Sequence, residues 1–169
     1  EGEVAWRCPN PDCPEQVRRR IEHFASKAGV DIDGLGEEIV GQLLERGVIR
    51  RLPDLFRLRL EDLLPLRKSG EVWAANLIAG IGARREVELW RVINGLGIPQ
   101  VGAAAAKELA RTFRSLETLL DAPFTELCRV EGFGEKTAQA VRAWCEQSVN
   151  RALVTDLLEL ARLDEAKPL

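Results

Sequence analysis

Apolar residues fall along this chain at helical spacing, and glycine interrupts them at regular intervals. Counting from Gly36, glycines recur at Gly70, Gly102 and Gly134, at spacings of 34, 32 and 32 residues. Four residues before each stands an aliphatic: Ile32, Leu66, Ile98 or Val130. Four residues after it stands Val40, Ala74, Ala106 or Ala138, and seven after it Leu43, Leu77, Leu109 or Val141. Positions four and seven beyond the glycine share one face of a helix, so a helix with the same buried face starts after each glycine. The pattern predicts units of helix, tight turn and helix. Incoming helices are expected over 17–28, 60–65, 86–94 and 124–129, and outgoing ones over 37–46, 71–81, 103–112 and 135–147. Short connecting helices are expected over 53–57 and 115–121, with Gly47 and Gly82 as C-terminal caps. Runs that alternate with period two are scarce, so the fold class expected is all-α with very little strand.

Glycine at such a turn has a steric and a chemical consequence. It adopts backbone angles that a residue with a Cβ avoids, which lets two helices meet closely. A glycine turn running into a helix also leaves several backbone N–H groups unpaired at the positive end of the helix dipole. Phosphate fits that cradle, and the missing side chain permits its approach. The first and fourth turns carry both glycines, as Gly34-Leu35-Gly36 and Gly132-Phe133-Gly134. Lys68 replaces the first glycine in the second turn and Gln100 replaces it in the third. The competing reading is that the glycines serve only as helix joints.

Composition narrows the class. The chain has 169 residues, 46% apolar and 30% charged, which suits a soluble globular protein and excludes disorder. No apolar run reaches membrane-span length and no signal segment opens the sequence, so a cytoplasmic protein is expected. The sequence starts with Glu and has no Met, which suggests a piece of a longer polypeptide. A net charge of -3 supplies no bulk field for nucleic acid, but a backbone N–H cradle needs none. The basic clusters Arg18-Arg19-Arg20, Arg50-Arg51, Arg67-Lys68 and Arg84-Arg85 read first as solvated helix faces. Four cysteines make no disulfide scaffold and point to a reducing compartment. Cys8 and Cys13 form a Cys-x4-Cys pair that suits two of the four ligands of a structural zinc. His23 sits on a helical pattern and reads as a packing or capping residue, and Cys128 and Cys145 read as core thiols.

The stretch "VEGFGEKTAQAV" (130–141) resembles the helix-hairpin-helix motif of DNA repair and replication proteins, which grips DNA backbone without reading bases. With "CPNPDCPEQVRRRIEHFASKAGVDIDGLG" (8–36), "DLFRL" (54–58), "NLIAGI" (76–81), "LGIPQVG" (96–102) and "NRALVTDLLEL" (150–160), the chain resembles bacterial NAD-dependent DNA ligases along essentially its whole length. The resemblance implies four tandem helix-hairpin-helix copies, one or two degenerate, preceded by a partial zinc finger. It implies a half finger over 1–16, hairpin pairs over 17–82 and 83–163, and a linker over 164–169 towards a downstream BRCT domain. Phosphate contacts are implied at Gly34, Leu35, Gly36, Gly102, Gly132, Phe133, Gly134 and Lys136. Zinc is implied at Cys8 and Cys13, with the other cysteine pair upstream. The implied partners are nicked double-stranded DNA and the adenylation and downstream domains of the same polypeptide, with no membrane. NAD and magnesium would bind outside this chain: adenylation needs a Lys-x-Asp-Gly setting, and "VDIDG" has Val30 where the lysine would stand. Two departures stand out. Lys68 suggests that the second hairpin only packs, and the uncharged Pro99 and Gln100 weaken a contact at the third. The alternatives are the DNA-binding region of a nuclease or junction-processing factor, and a helical scaffold that packs on protein.

Overall fold

The computed structural model describes residues 14–67, 70–84, 86–160 and, for the backbone, 162–164. Cys8, Cys13 and Lys68 lie outside the described residues. In the first half, α1 (Pro14–Ala25) and α2 (Glu37–Glu45) are followed by the 3-10 helix η1 (Leu52–Arg57). Next come α3 (Leu60–Leu63), the 3-10 turn η2 (Leu64–Leu66) and α4 (Glu71–Ala83). The second half holds β1 (Glu86–Glu88), α5 (Leu89–Gly95), α6 (Ala103–Phe113), α7 (Leu116–Leu120) and α8 (Phe124–Cys128). It ends in α9 (Glu135–Glu146), α10 (Ser148–Leu160) and β2 (Arg162–Asp164). The fold is all-α apart from β1 and β2, which pair in parallel with Val87 opposite Leu163. No helix among the described residues is long and apolar enough to cross a membrane.

The repeating register is a core register. Val40, Ala74, Ala106 and Ala138 are fully buried, and Leu43, Leu77, Leu109 and Val141 are at most 2% exposed. Burying each of the larger four contributes about 1.5–3 kcal/mol. Alanine at three of the four inner positions lets the incoming helix lie close. Of the aliphatics before the turns, Ile32, Ile98 and Val130 are buried whereas Leu66 is only partly so. At this one position the second unit packs less completely than the other three.

Several boundaries differ from the expected ones for identifiable reasons. The first helix begins at Pro14, whose missing N–H costs nothing in a first turn. It ends at Ala25 instead of 28, because Val30 N–H reaches back to the Phe24 carbonyl and Asp31 takes φ 54. The expected helix over 60–65 turns 3-10 at Leu64, since Pro65 has no N–H for an α-helical bond. Residues 86–88 form strand, so the third incoming helix starts at Leu89. Gly47 is the residue after the C-cap of α2, with φ +70 and its N–H on the Leu44 carbonyl. Gly82 is not a cap: α4 continues to Ala83 and closes on Arg84. The helix α10 was not anticipated, because α9 stops at an extended Gln147 with neither Gly nor Pro to mark the break.

The two halves meet where α1 crosses α5. A Cβ on Gly29 would stand 3.0 Å from the Cα of Gly95, and one on Gly95 would stand 3.1 Å from the Cα of Gly29. Asn94 Nδ2 donates to the Ala28 carbonyl at 2.5 Å, Arg91 Nη1 donates to that of Gly29 at 3.2 Å, and His23 Nε2 donates to that of Asn94 at 2.9 Å. Gly29 and Gly95 are 66 residues apart, as are Ala28 and Asn94, and this is also the separation of Gly36 from Gly102. Equivalent residues of the two halves thus touch each other at this crossing. His23, expected to pack or cap, is exposed and caps a last-turn carbonyl of α5 through its bond to Asn94.

Candidate nucleic-acid interface

Three of the four glycine turns have one backbone geometry. In each, the amide two residues before the helix start closes a turn onto the buried aliphatic. Leu35 N–H donates to Ile32 O at 3.3 Å, Val101 to Ile98 at 3.1 Å, and Phe133 to Val130 at 3.0 Å. The third residue of each turn is left-handed: Gly34 at φ 88, Gln100 at φ 70 and Gly132 at φ 83. This bond together with a positive φ at the third position is the type II pattern, which favours glycine there and proline just before it. Gln100 is thus a residue that pays a conformational cost at a glycine position, and Pro99 offsets it by fixing the preceding φ. The third turn, where the uncharged Pro99 and Gln100 were expected to weaken a phosphate contact, has the same backbone geometry as the first and fourth.

The helix then starts on an extended glycine. Gly36 has φ -93 and ψ -172, Gly102 φ -101 and ψ -166, and Gly134 φ -102 and ψ -178. Their carbonyls accept the first helical bonds, from Val40, Ala106 and Ala138, at 2.9–3.0 Å. No side chain caps any of the three helices. Their first-turn amides have no intrahelical partner and carry the positive end of the helix dipole. A Cβ built on Gly36, Gly102 or Gly134 meets nothing within 4 Å, so the space in front of each is open.

Gly70 departs from this pattern, with φ -95 and ψ 18, and a Cβ there would stand 3.0 Å from Cβ and 3.1 Å from the carbonyl oxygen of Arg67. The Arg67 guanidinium lies 5.0 Å from the Trp73 ring centre, turned onto its own unit.

First-turn charge ranks the three open turns. The first carries Glu37 and Glu38, of which only Glu37 is paired, with Arg18 Nη2 at 3.3 Å. The fourth has Glu135 followed by an exposed Lys136. The third has no carboxylate in its first turn, only Ala103 to Ala106, and is the least repulsive to an anion. Of the residues expected to contact phosphate, Gly34, Gly36, Gly102, Gly132, Gly134 and Lys136 are exposed at the turns. Leu35 is 4% exposed and Phe133 packs against the core, and the amides of both are used inside their turns. The outward donors begin one residue later, which the sequence alone does not reveal.

The remaining candidate chemistry is sparse. Among the described residues no group of three or more His, Cys, Asp or Glu side chains could hold a metal ion. Burial pushes the Cys145 thiol up to about 11, away from the thiolate a metal requires, and its Sγ lies 3.8 Å from the Leu119 carbonyl. Burial of Asp54 opposes its ionisation. Hydrogen bonds from the Arg50 and Arg51 backbone and the Arg57 guanidinium prevail, holding the carboxyl below its usual range as the cap of η1.

Residues 91–154, which span the third and fourth turns, match the helix-hairpin-helix motif family. The chain is 50% identical over 165 residues to DNA ligase 1 of Opitutus terrae and 43% identical over 160 residues to the DNA ligase of Bacillus subtilis. It is 40% identical over 158 residues to the DNA ligase of Phocaeicola vulgatus. These matches cover 93–95% of the chain and 24% of each relative, so the chain spans about a quarter of their length. Its sequence is that of a helix-hairpin-helix segment of a bacterial DNA ligase.

Proposed function

We propose that the chain is the sequence-independent DNA-gripping part of an NAD-dependent DNA ligase, acting on nicked duplex in the cytoplasm. The observation that carries this reading is the shared geometry of the turns at Gly36, Gly102 and Gly134, each opening an uncapped helix towards empty space. Each turn offers backbone N–H groups to one phosphate, with the glycine permitting close approach and Lys136 adding a charge contact. Turns in both halves of the chain suit a duplex, which offers phosphates on two strands. Held at both strands, the ends of a nick stay aligned for an adenylation domain, which supplies much of the advantage of catalysis by proximity. NAD and magnesium would belong to that other part of the polypeptide, since "VDIDG" has Val30 where adenylation needs a lysine. The ligase names of the relatives favour this reading over a nuclease or junction-processing factor.

Duplexes of unrelated sequence are expected to bind equally well, because phosphate contacts carry no sequence information. Anisotropy titrations over a salt series test this, and Lys136→Ala should flatten the log–log salt slope by about one unit. Strong preference for one sequence, or a salt slope near zero, would refute phosphate gripping. For zinc, Cys8 and Cys13 supply two thiolates where a structural site needs four ligands. The isolated chain is therefore expected to lose zinc on dialysis, and one tightly held zinc per chain by metal analysis would count against the half-site.

A further inference from the structure

The helix α4 stands apart from α2, α6 and α9, which begin after the other three turns. It has no charged residue from Val72 to Ala83. Val72, Ala75, Asn76, Ala79 and Ala83 are exposed along it, Val72 at 74%. Among the described residues, all three large hydrophobic side chains that are exposed, Leu60, Leu64 and Val72, lie in this one unit. A helix apolar all round belongs against a partner, and contiguous exposed apolar surface marks an interaction site.

DNA is a poor occupant. Its exposed residues Val72, Ala75, Asn76, Ala79 and Ala83 include no cation, and Gly70 lacks the extended backbone of the other three helix starts. A second copy is also a poor one, because three large side chains and a row of alanines fall short of the roughly 800 Å² per partner of a stable dimer. A surface on the same polypeptide needs less, since tethering supplies an effective concentration in the millimolar range. The relatives carry about three quarters of their length outside the matched segment, which covers 24% of them. We propose that the outer face of α4, with Leu60 and Leu64, docks on an uncharged apolar surface in the remainder of the ligase polypeptide. The degenerate second unit thereby fixes the DNA-gripping turns relative to the catalytic part. This inference rests on the ligase reading above.

The test is a hybrid in which this chain replaces the matched segment of Opitutus terrae DNA ligase 1, compared with the isolated chain, each with and without Val72→Glu. Val72 is exposed, so the variant should keep the helical circular dichroism. In the isolated chain Val72→Glu should leave nicked-duplex affinity within twofold. In the hybrid it should lower nick sealing at least tenfold. Amide exchange across α4 should be slower in the hybrid than in the isolated chain, and Val72→Glu should abolish the difference. Equal sealing with no difference in exchange would overturn the docking while leaving DNA binding untouched. So would weakened DNA binding by the isolated variant, or a dimer in sedimentation that the variant dissociates. An isolated wild-type chain that fails to bind nicked duplex counts against DNA gripping alone. The exchange comparison across α4 then still decides the docking, as it does if the hybrid fails to seal.

Discussion

Gly102→Val is expected to lower affinity for nicked duplex about 10- to 100-fold while leaving the fold intact. Gly102 has an extended backbone that any residue adopts, and its built Cβ meets nothing within 4 Å. The side chain therefore enters only the space that a phosphate would occupy. Hydrogen bonds to a charged group contribute about 1.5–3 kcal/mol, and each 1.4 kcal/mol is tenfold in affinity. Valine is a weaker helix start than glycine, which costs at most about 1 kcal/mol and a few degrees of Tm. Gly134→Val should behave alike, since its φ of -102 also removes any argument from strain. Gly36→Val should cost less, because Glu37 and Glu38 already oppose an anion there. Gly70→Val should reverse the pattern: its Cβ meets the Arg67 carbonyl at 3.1 Å and Trp73 at 3.5 Å, so stability falls and binding does not. Thermal melts and anisotropy on the four variants separate the cases. A folded Gly102→Val chain that binds normally would show that the turn is architecture.

The helices that follow the glycines were legible because each declares its buried face in its own sequence. Val40 and Leu43, or Ala138 and Val141, are buried as their spacing requires. Local chemistry that periodicity does not report was less legible. Gln100 looks like a lost glycine until Pro99 is recognised as the residue that favours its turn, and Gly70 looks like a kept one although its own backbone is not extended as in the other three. Within the candidate site, Leu35 and Phe133 were expected as contacts because they sit between the glycines. The bonds from their amides to Ile32 and Val130 are a three-dimensional fact. The helix α10 and the pairing of β1 with β2 had no local punctuation to mark them. Least legible was the crossing of α1 with α5, since neither Gly29 nor Asn94 has a sequence neighbour that explains it.

That crossing gives the largest stability effect expected. Gly29→Ala should destabilise the fold by about 3 kcal/mol, the upper end of overpacking. The added Cβ would lie 2.3 Å from the Phe24 carbonyl oxygen, which already accepts the Val30 amide at 2.9 Å, and 3.0 Å from the Cα of Gly95. Both obstacles are backbone, so relief requires the end of α1 to shift. For a chain of this size the loss lowers Tm by about 6–12 °C. Gly95→Ala should cost less, about 1–2 kcal/mol, because one of its obstacles is Phe24 Cδ1 at 3.2 Å, the edge of a ring that can turn. The double variant should fall short of the sum, since one displacement of the crossing relieves both contacts. Because α1 leads towards the first turn and α5 towards the third, the same displacement alters the spacing of those turns. Affinity for nicked duplex should therefore fall in Gly29→Ala well below its melting temperature, although no substituted atom faces the DNA. A Gly29→Ala chain that melts with the parent would show that the two helices do not meet as closely as the glycines allow. One that melts low but binds with parental affinity would show that the turns grip independently of their spacing.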